Sequence, residues 1–228
     1  MSFVLKNMTK LETLTQEIIA CRKCPRLVEW REEVARVKRR AYRDFEYWGK
    51  PVPGFGDPHA RMMIVGLAPG AHGSNRTGRG FTGDGSGYFL FPALHHAGFA
   101  NQPDATDRDD DMILSDLWIT AVGRCAPPKN KPTAEELNNC QPFLEQEIEI
   151  ILPKVLIAFG RISFDRILKM YHLRKKDYAF GHGVVHKLPS GIWLLVSYHP
   201  SRQNTQTGRL TKEMFDEIWV KARELIHE

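Results

Sequence analysis

The amino-acid sequence predicts a three-layer α/β/α fold with a central four-stranded parallel sheet. Four short runs of residues are continuously apolar and rich in β-branched side chains, which is typical of strands that are buried on both faces. Helix-like segments alternate with these runs, as they do in doubly wound α/β proteins. Segments rich in Gly, His, Asn and Arg follow the runs, and in this fold class the loops after the strands bind the ligand.

The predicted elements follow one another along the chain in a regular order. Two amphipathic helices, in residues 10–20 and 27–42, come first. Residues 44–61 are rich in Gly, Pro and aromatic side chains and predict an ordered loop. Further on, Thr133 and Glu136 have the spacing of a capping box at the start of a helix. Strands are predicted in residues 62–67, 117–123, 155–160 and 192–197, and helices in residues 88–97, 133–151, 161–170 and 211–226.

Composition and charge limit the class of protein. The 228 residues are 42% hydrophobic and 26% charged, which predicts one globular domain, residues 1–228, with a helical N-terminal region in about residues 1–50. A net charge of +5 favours a polyanionic partner without identifying it. No apolar run approaches the roughly 18–20 residues of a membrane span, and the first residues lack the apolar stretch of a secretory signal. We therefore expect a monomeric, cytoplasmic protein without a membrane partner.

A glycine-rich segment, residues 66–84, follows the first predicted strand. Its sequence, GLAPGAHGSNRTGRGFTGD, has few side chains that can pack into a core, and glycines let backbone N–H groups approach a ligand closely. A nucleotide-binding P-loop is an alternative, because Gly73 and Gly78 have its spacing. Arg79 and Gly80, however, occupy the positions where a P-loop requires Lys and Ser or Thr.

The four cysteines have an unusual spacing. They form a C-x2-C pair, followed after 100 residues by a C-x14-C pair, and a zinc ribbon would need a second tight pair. In a reducing compartment, four cysteines indicate a metal-binding set more than two disulfides. Zinc, an iron–sulfur cluster and buried unliganded thiols all remain compatible with this spacing. The residues are Cys21, Cys24, Cys125 and Cys140.

Residues 197–211, SYHPSRQNTQTGRLT, follow the last predicted strand and are not core-like. They contain His199, and a single histidine at a strand end is often structural. Asp84 and Asn130 follow the first two predicted strands, so the same edge of the parallel sheet receives all three side chains. This combination favours a catalytic site over a structural histidine.

These segments resemble the family 5 (type B) enzymes of the uracil-DNA glycosylase superfamily. Residues 66–84 resemble the first motif of that family, residues 124–136 the middle motif and residues 197–211 the last. CRKCPRLVEWREEV, residues 21–34, and PVPGFGDP, residues 51–58, resemble its N-terminal part. The resemblance therefore covers nearly the whole chain.

The resemblance implies both a reaction and a cofactor. The reaction is that of a monofunctional DNA glycosylase, which flips uracil out of DNA and hydrolyses its N-glycosidic bond, leaving an abasic site that starts base excision repair. Hypoxanthine and xanthine are implied as further substrates. The implied cofactor is a [4Fe–4S] cluster that ties the N-terminal helices to the rest of the chain, with Cys21, Cys24, Cys125 and Cys140 as its ligands.

The resemblance also assigns roles to individual residues. Other branches of the superfamily activate water with a carboxylate or amide at the positions of Leu67 or Ala68, and both residues are apolar here. The resemblance assigns that task to Asp84 and Asn130 instead. The contact to uracil O2 is assigned to His199. The implied base-binding residues are Gly66, Ala68, Gly70, Phe81 and His199. Phe81 is the aromatic residue on which the base stacks. It follows Gly80, a position where similar enzymes carry Pro.

Excision of a base also requires contacts to the surrounding DNA. A stacked base must leave the duplex before its glycosidic bond is accessible, so a side chain must fill the gap and cations must hold the phosphates. We predict that the wedge comes from Arg202, Gln203 and Asn204. We predict phosphate contacts from Arg76, Arg79, Ser201 and Arg209, with a plain surface position as the alternative for the arginines. A non-catalytic iron–sulfur protein that binds nucleic acid is the alternative function, although the intact Asp84, Asn130 and His199 argue against it.

Overall fold

A central sheet with helices on both faces makes up the part of the chain that the computed structural model describes, which is residues 2–228, with side chains from residue 9 onward. None of the helices in residues 2–228 combines the length and the apolar character needed to cross a bilayer. The helices are α1 (Ser2–Ala20), α2 (Pro25–Val37), α3 (Ser74–Thr77), α4 (Gly87–His96), α5 (Ala134–Ile151), α6 (Arg161–Met170), α7 (Arg202–Gln206) and α8 (Lys212–Leu225). The strands are β1 (Phe55–Gly56), β2 (Met62–Gly66), β3 (Leu117–Ala121), β4 (Val155–Phe159), β5 (Val185–Lys187) and β6 (Trp193–Ser197).

The sheet is mixed and six-stranded, with the strand order β1-β3-β2-β4-β6-β5. Its four central strands are parallel, and β1 and β5 are antiparallel strands at the two edges. The prediction of a purely parallel four-stranded sheet therefore holds for the centre and is wrong at the edges. The edge strands have two and three residues, which is too short to show a hydrophobic pattern in the sequence.

Alternate residues of the central strands face two separate cores. Met62 and Ile64 of β2 pack into one cluster with side chains of α4 and α8, whereas Met63 and Val65 pack into the other with side chains of α5 and α6. All of these side chains on β2 are fully buried. The continuous apolar character of the predicted strands thus follows from the helix layers on both faces.

The boundaries of α4, α5, α6 and α8 agree with the predicted ones to within one residue, whereas those of the two N-terminal helices do not. Helix α1 begins at Ser2 and not at residue 10 as predicted. The predicted capping box is confirmed, because Thr133 Oγ1 accepts the N–H of Glu136 at 3.2 Å while Glu136 Oε2 accepts the N–H of Thr133 at 2.7 Å. The predicted helix over residues 27–42 is too long. The helix ends at Val37, because Lys38 adopts a φ of 58°, and residues 40–42 form a separate 3-10 turn.

The N-terminal helices bring two cysteines to the main part of the chain. Helix α1 packs on α5 through Leu14, Ile18 and Phe143. The turn between α1 and α2 carries Cys21 and Cys24, and this packing sets that turn beside α5, which carries Cys140.

Candidate active site

A cavity of about 780 Å³ opens at the carboxyl ends of the four parallel strands. In doubly wound folds this edge of the sheet binds the ligand. The loops that follow β2, β3, β4 and β6 all contribute to its wall. The predicted site residues that line it are Gly66, Ala68, Gly70, Phe81, Asp84, Asn130, His199, Ser201, Arg202, Gln203, Asn204 and Arg209.

Asp84 is a half-buried carboxylate in the cavity wall. Its Oδ1 accepts the backbone N–H groups of Ser86 at 2.9 Å and Gly87 at 3.0 Å, while its Oδ2 accepts no hydrogen bond from the described residues. Burial raises the pKa of Asp84, and the two N–H groups partly oppose this shift. A Cβ atom at Gly73 would lie only 2.5 Å from Oδ2, so a glycine is needed there for the carboxylate to occupy its position.

Phe81 forms an aromatic wall of the cavity in a strained backbone conformation. Its φ is 56°, a region that non-glycine residues seldom adopt. The ring centroid lies 5.9 Å from that of Phe159 and 5.9 Å from that of His199. A Cβ atom at Gly87 would lie 1.7 Å from the carbonyl oxygen of Phe81, so this glycine permits the turn that presents the ring.

His199 presents an uncharged imidazole to the cavity. Burial lowers its pKa to about 4, so the ring is neutral at neutral pH and carries one N–H group. Neither ring nitrogen has a hydrogen-bond partner among the described residues. The carbonyl oxygen of His199 accepts bonds from the backbone N–H of Ser201 at 2.8 Å and from Asn204 Nδ2 at 2.9 Å. The turn after β6 therefore fixes the backbone of His199 and leaves its ring free to bind a ligand.

The loop after β3 presents Asn130 at the exposed rim of the cavity. Asn130 and its neighbour Lys129 have φ values of 56° and 55°, and two successive non-glycine residues in this region are typical of functional turns. The side-chain amide of Asn130 has no hydrogen-bond partner in the described part of the chain. It is therefore free to bind a ligand or a water molecule.

The turn after β2 offers backbone donors. The N–H groups of Ala68 and Gly70 donate to no other group within residues 2–228, and both residues line the cavity. Unpaired N–H groups in a turn favour an anionic ligand. These two N–H groups are therefore candidates for hydrogen bonds to an anionic ligand.

The prediction of a phosphate contact from Arg76 is corrected by its burial. Its side chain is only 5% exposed. Nε donates to the carbonyl oxygen of His72 at 3.0 Å, and the guanidinium carbon lies 4.3 Å from the ring centroid of Tyr42 and 4.8 Å from that of Phe45. Arg76 therefore braces the glycine-rich loop from inside.

Arg79 is also corrected, from a phosphate contact to an internal ion pair. Its guanidinium is 7% exposed, lies 2.7 Å from Asp110 and donates to Thr82 Oγ1 at 2.8 Å. Nothing in the sequence indicates this ion pair, because an Asp in a polar, acidic segment carries no sign that its side chain is turned inward. The ion pair ties the glycine-rich loop to the loop that carries Asp110.

Among the predicted wedge residues, only two are exposed at the rim. Arg202 and Gln203 are exposed and make no ion pair within the described residues, whereas the amide of Asn204 donates to His199 as described above. Ser201 is the N-cap of α7, because its Oγ accepts the N–H of Asn204 at 3.4 Å. Arg202 packs against Gly85, where a Cβ atom would lie 2.3 Å from Arg202 Nε.

Three residues that line the cavity carry no functional signal in the sequence: Arg161, Phe180 and Tyr198. Arg209, which lies beside Tyr198, is a predicted phosphate contact. At the mouth of the cavity, the guanidinium of Arg161 lies 5.0 Å from the ring centroid of Phe180. The guanidinium of Arg209 lies 4.8 Å from the ring centroid of Tyr198. Arg161 is the first residue of α6, so helical periodicity accounts for it without a ligand. Only the position of Arg161 directly after a parallel strand marks it as a candidate for ligand binding.

The four cysteines line a second, small cavity together with Arg124. All four are free thiols. Burial raises the pKa of Cys125 to about 12 and also raises that of Cys140. Across residues 9–228, no group of three or more His, Cys, Asp or Glu side chains could hold a single metal ion. The structure thus brings the four predicted ligands to one cavity, without the arrangement of a one-ion site.

Comparisons with known proteins point to one family. Residues 53–223 match the family model described as the uracil DNA glycosylase superfamily. A type-5 uracil-DNA glycosylase of Thermus thermophilus is 54% identical over 215 residues, covering 94% of this chain and 97% of that protein. A type-5 uracil-DNA glycosylase of Mycobacterium leprae is 50% identical over 217 residues, covering 93% of this chain and 94% of that protein. A type-5 uracil-DNA glycosylase of Pyrobaculum aerophilum is 44% identical over 211 residues, covering 92% of this chain and 91% of that protein.

Proposed function

The chain belongs to the uracil-DNA glycosylase superfamily, and on that premise we propose that it is a monofunctional uracil-DNA glycosylase. It flips uracil out of DNA and hydrolyses the N-glycosidic bond, leaving an abasic site that starts base excision repair. The observation that carries this proposal is the cavity in which Phe81, Asp84, Asn130 and His199 meet at the carboxyl edge of the sheet.

Departure of the base requires donors directed at its developing charge. Cleavage leaves a pyrimidine anion and an oxocarbenium-like sugar, so hydrogen-bond donors at uracil O2 stabilise the transition state. The neutral ring of His199 donates one such bond. The N–H groups of Ala68 and Gly70 supply further donors, while the ring of Phe81 stacks on the base. The phosphates of the DNA stabilise the cationic sugar.

Water enters after the bond to uracil has largely broken. A strong base is not needed at that stage, because the oxocarbenium-like carbon is already highly electrophilic. Asp84 Oδ2, which is free of intramolecular hydrogen bonds, and the amide of Asn130 orient the water. The apolar Leu67 and Ala68 are compatible with this order of events.

We propose hypoxanthine and xanthine as further substrates of the same cavity. Its volume of about 780 Å³ has room for a purine, and the turn after β2 carries no side-chain carboxylate or amide that would discriminate between bases. A purine is a poorer match to a set of donors centred on O2. Its excision should therefore depend more on the positioned water.

An abasic-site assay on a uracil-containing duplex tests the proposed activity. The purified protein is expected to convert a single U in a G·U pair to an alkali-labile abasic site, because a mispaired base costs less to flip. The same duplex with thymine in place of uracil is the control. Binding to both duplexes without cleavage would support the non-catalytic alternative instead.

Contacts to DNA phosphates predict a salt-dependent affinity for abasic DNA. Each contact from a basic side chain lowers the slope of log K against log salt by about 0.9. Arg202 and Arg209 are exposed at the cavity and have no acidic partner among the described residues. Arg202→Ala and Arg209→Ala should each make the slope shallower by about 0.9 if one contact is lost.

A matched control is Arg61→Ala. Arg61 precedes β2, at the opposite edge of the sheet, and pairs with Asp116 at 2.6 Å, so its removal should leave the slope unchanged. If the slope also stays unchanged in both the Arg202 and Arg209 variants, the phosphate contacts lie elsewhere.

We further propose that the four cysteines hold a [4Fe–4S] cluster that joins the N-terminal helices to the main part of the chain. The four thiols line one cavity, although no single-ion site is formed. A cluster binds each thiolate through a different iron, so it accepts a wider spacing than zinc does. Two buried arginines adjoin the thiols, Arg31 and Arg124, and the Nε of each has no partner in the described part of the chain. These residues suit a negatively charged group.

Iron content and colour test the cluster. The purified protein should be brown, with about four iron and four sulfide per chain. Cys21→Ala should lower the iron content and the melting temperature, because the cluster links α1 and α2 to the loop after β3 and to α5. Stoichiometric zinc without visible absorbance would contradict the cluster, and unchanged iron and stability in Cys21→Ala would contradict the four-ligand set.

A further inference from the structure

Arg31 of α2 lies against the thiol cavity. Its side chain is only 2% exposed. Nη1 donates a hydrogen bond to Cys125 Sγ at 2.9 Å, and Nη2 donates to the carbonyl oxygen of Cys21 at 3.3 Å. One guanidinium thus contacts two of the four cysteine residues, which are 104 positions apart.

The charge of Arg31 has no close counter-charge among the described residues. Its nearest acidic partner is Glu32 at 3.9 Å, which is half exposed and makes a shorter, bidentate pair with Arg22. Arg124, in contrast, is paired with the buried Glu147 at 2.5 Å. A buried guanidinium without a partner is costly, and buried charges are normally paired or neutralised. The environment of Arg31 therefore calls for a negative group nearby.

Four thiolates around a metal group supply that negative charge, which is delocalised over their sulfur atoms. An N–H group of Arg31 already points at one of these sulfur atoms.

We propose that Arg31 is a positioning residue for the proposed cluster, compensating its negative charge and donating an N–H···S bond to Cys125. This inference rests on the cluster proposed above. Positive charge and hydrogen bonds at the sulfur atoms favour the more reduced, more negative state of a cluster. Arg31 should therefore raise the reduction potential and slow the loss of iron.

Arg31→Met tests the inference, because methionine retains an apolar stem of similar length and removes the charge and the donors. The matched control is Arg36→Met, which removes a cation from the same helix. Arg36 is exposed, pairs with Glu33 at 2.7 Å and makes no bond to a thiol within the described residues. Arg31→Met should release iron to a chelator about 10- to 100-fold faster than the wild type. Its midpoint potential should shift to more negative values, whereas Arg36→Met should match the wild type in both measurements.

Iron-loaded Arg31→Met with the wild-type potential and the wild-type release rate would overturn the inference. If Arg31→Met does not fold, Arg31→Lys decides the matter. Lysine keeps the charge but cannot bond to Cys125 and Cys21 with one planar group. Iron should therefore leave faster, and the potential should become more negative because the hydrogen bond to sulfur is lost. Wild-type iron release from this variant would also overturn the inference. A wild-type protein without iron would instead refute the cluster proposal itself.

Discussion

Replacement of His199 by alanine is expected to slow uracil excision by about 10²-fold or more, as the loss of one donor to a developing oxyanion commonly does. The imidazole is neutral and its ring nitrogens have no competing partner among the described residues. Its N–H group is therefore preorganised for the charge that forms on O2. A 10²-fold loss corresponds to about 2.7 kcal/mol of transition-state stabilisation.

Single-turnover kinetics on a uracil duplex provide the measurement, because they separate the chemical step from product release. His96→Ala is a matched control, since His96 is exposed at the end of α4 and lies outside the cavity. It should retain the wild-type rate. Full activity of His199→Ala on uracil would refute the assignment of the anion donor.

Loss of the water-positioning side chains is expected to impair hypoxanthine excision more than uracil excision. Hypoxanthine fits the O2-centred donors poorly and relies on assisted attack by water, where general-base assistance commonly contributes about 10² to 10⁴. Asp84→Ala and Asn130→Ala should therefore reduce the hypoxanthine rate by a factor in this range and the uracil rate by less.

The comparison needs a variant that keeps the loop intact. Asp84 Oδ1 holds the N–H groups of Ser86 and Gly87, so alanine at this position also weakens the turn. Asp84→Asn retains an acceptor for these bonds and removes the carboxylate, so it isolates the chemical contribution. Equal losses on both substrates for Asp84→Asn would refute the late entry of water.

The sequence was sufficient to predict the parallel centre of the sheet and the helices on it. The runs that became β2, β3, β4 and β6 are apolar on both faces because helices cover both faces. The edge strands β1 and β5 were missed because two or three residues carry no periodicity. Helix α7 was missed because its residues, RQNTQ, have no apolar face.

The site was harder to predict where burial decides the role of a charged residue. Asp84, Asn130 and His199 follow predicted strands, and the parallel topology alone brings their side chains to one edge. Arg76 and Arg79 lie in the same glycine-rich loop, yet both side chains are turned inward onto partners that are distant in sequence. Local sequence does not encode such partners.

The pH dependence of single-turnover uracil excision tests most directly the claim that a neutral His199 stabilises the departing base. Because burial lowers the pKa of His199 to about 4, its protonation state does not change across the neutral range. The rate constant of the wild type should stay level between about pH 6 and pH 8, where an ordinary imidazole would titrate. The contradicting result is a rate that falls as the pH rises through about 6.5 in the wild type but not in His199→Gln. Such a result would show that the charged imidazole of His199 acts in the reaction.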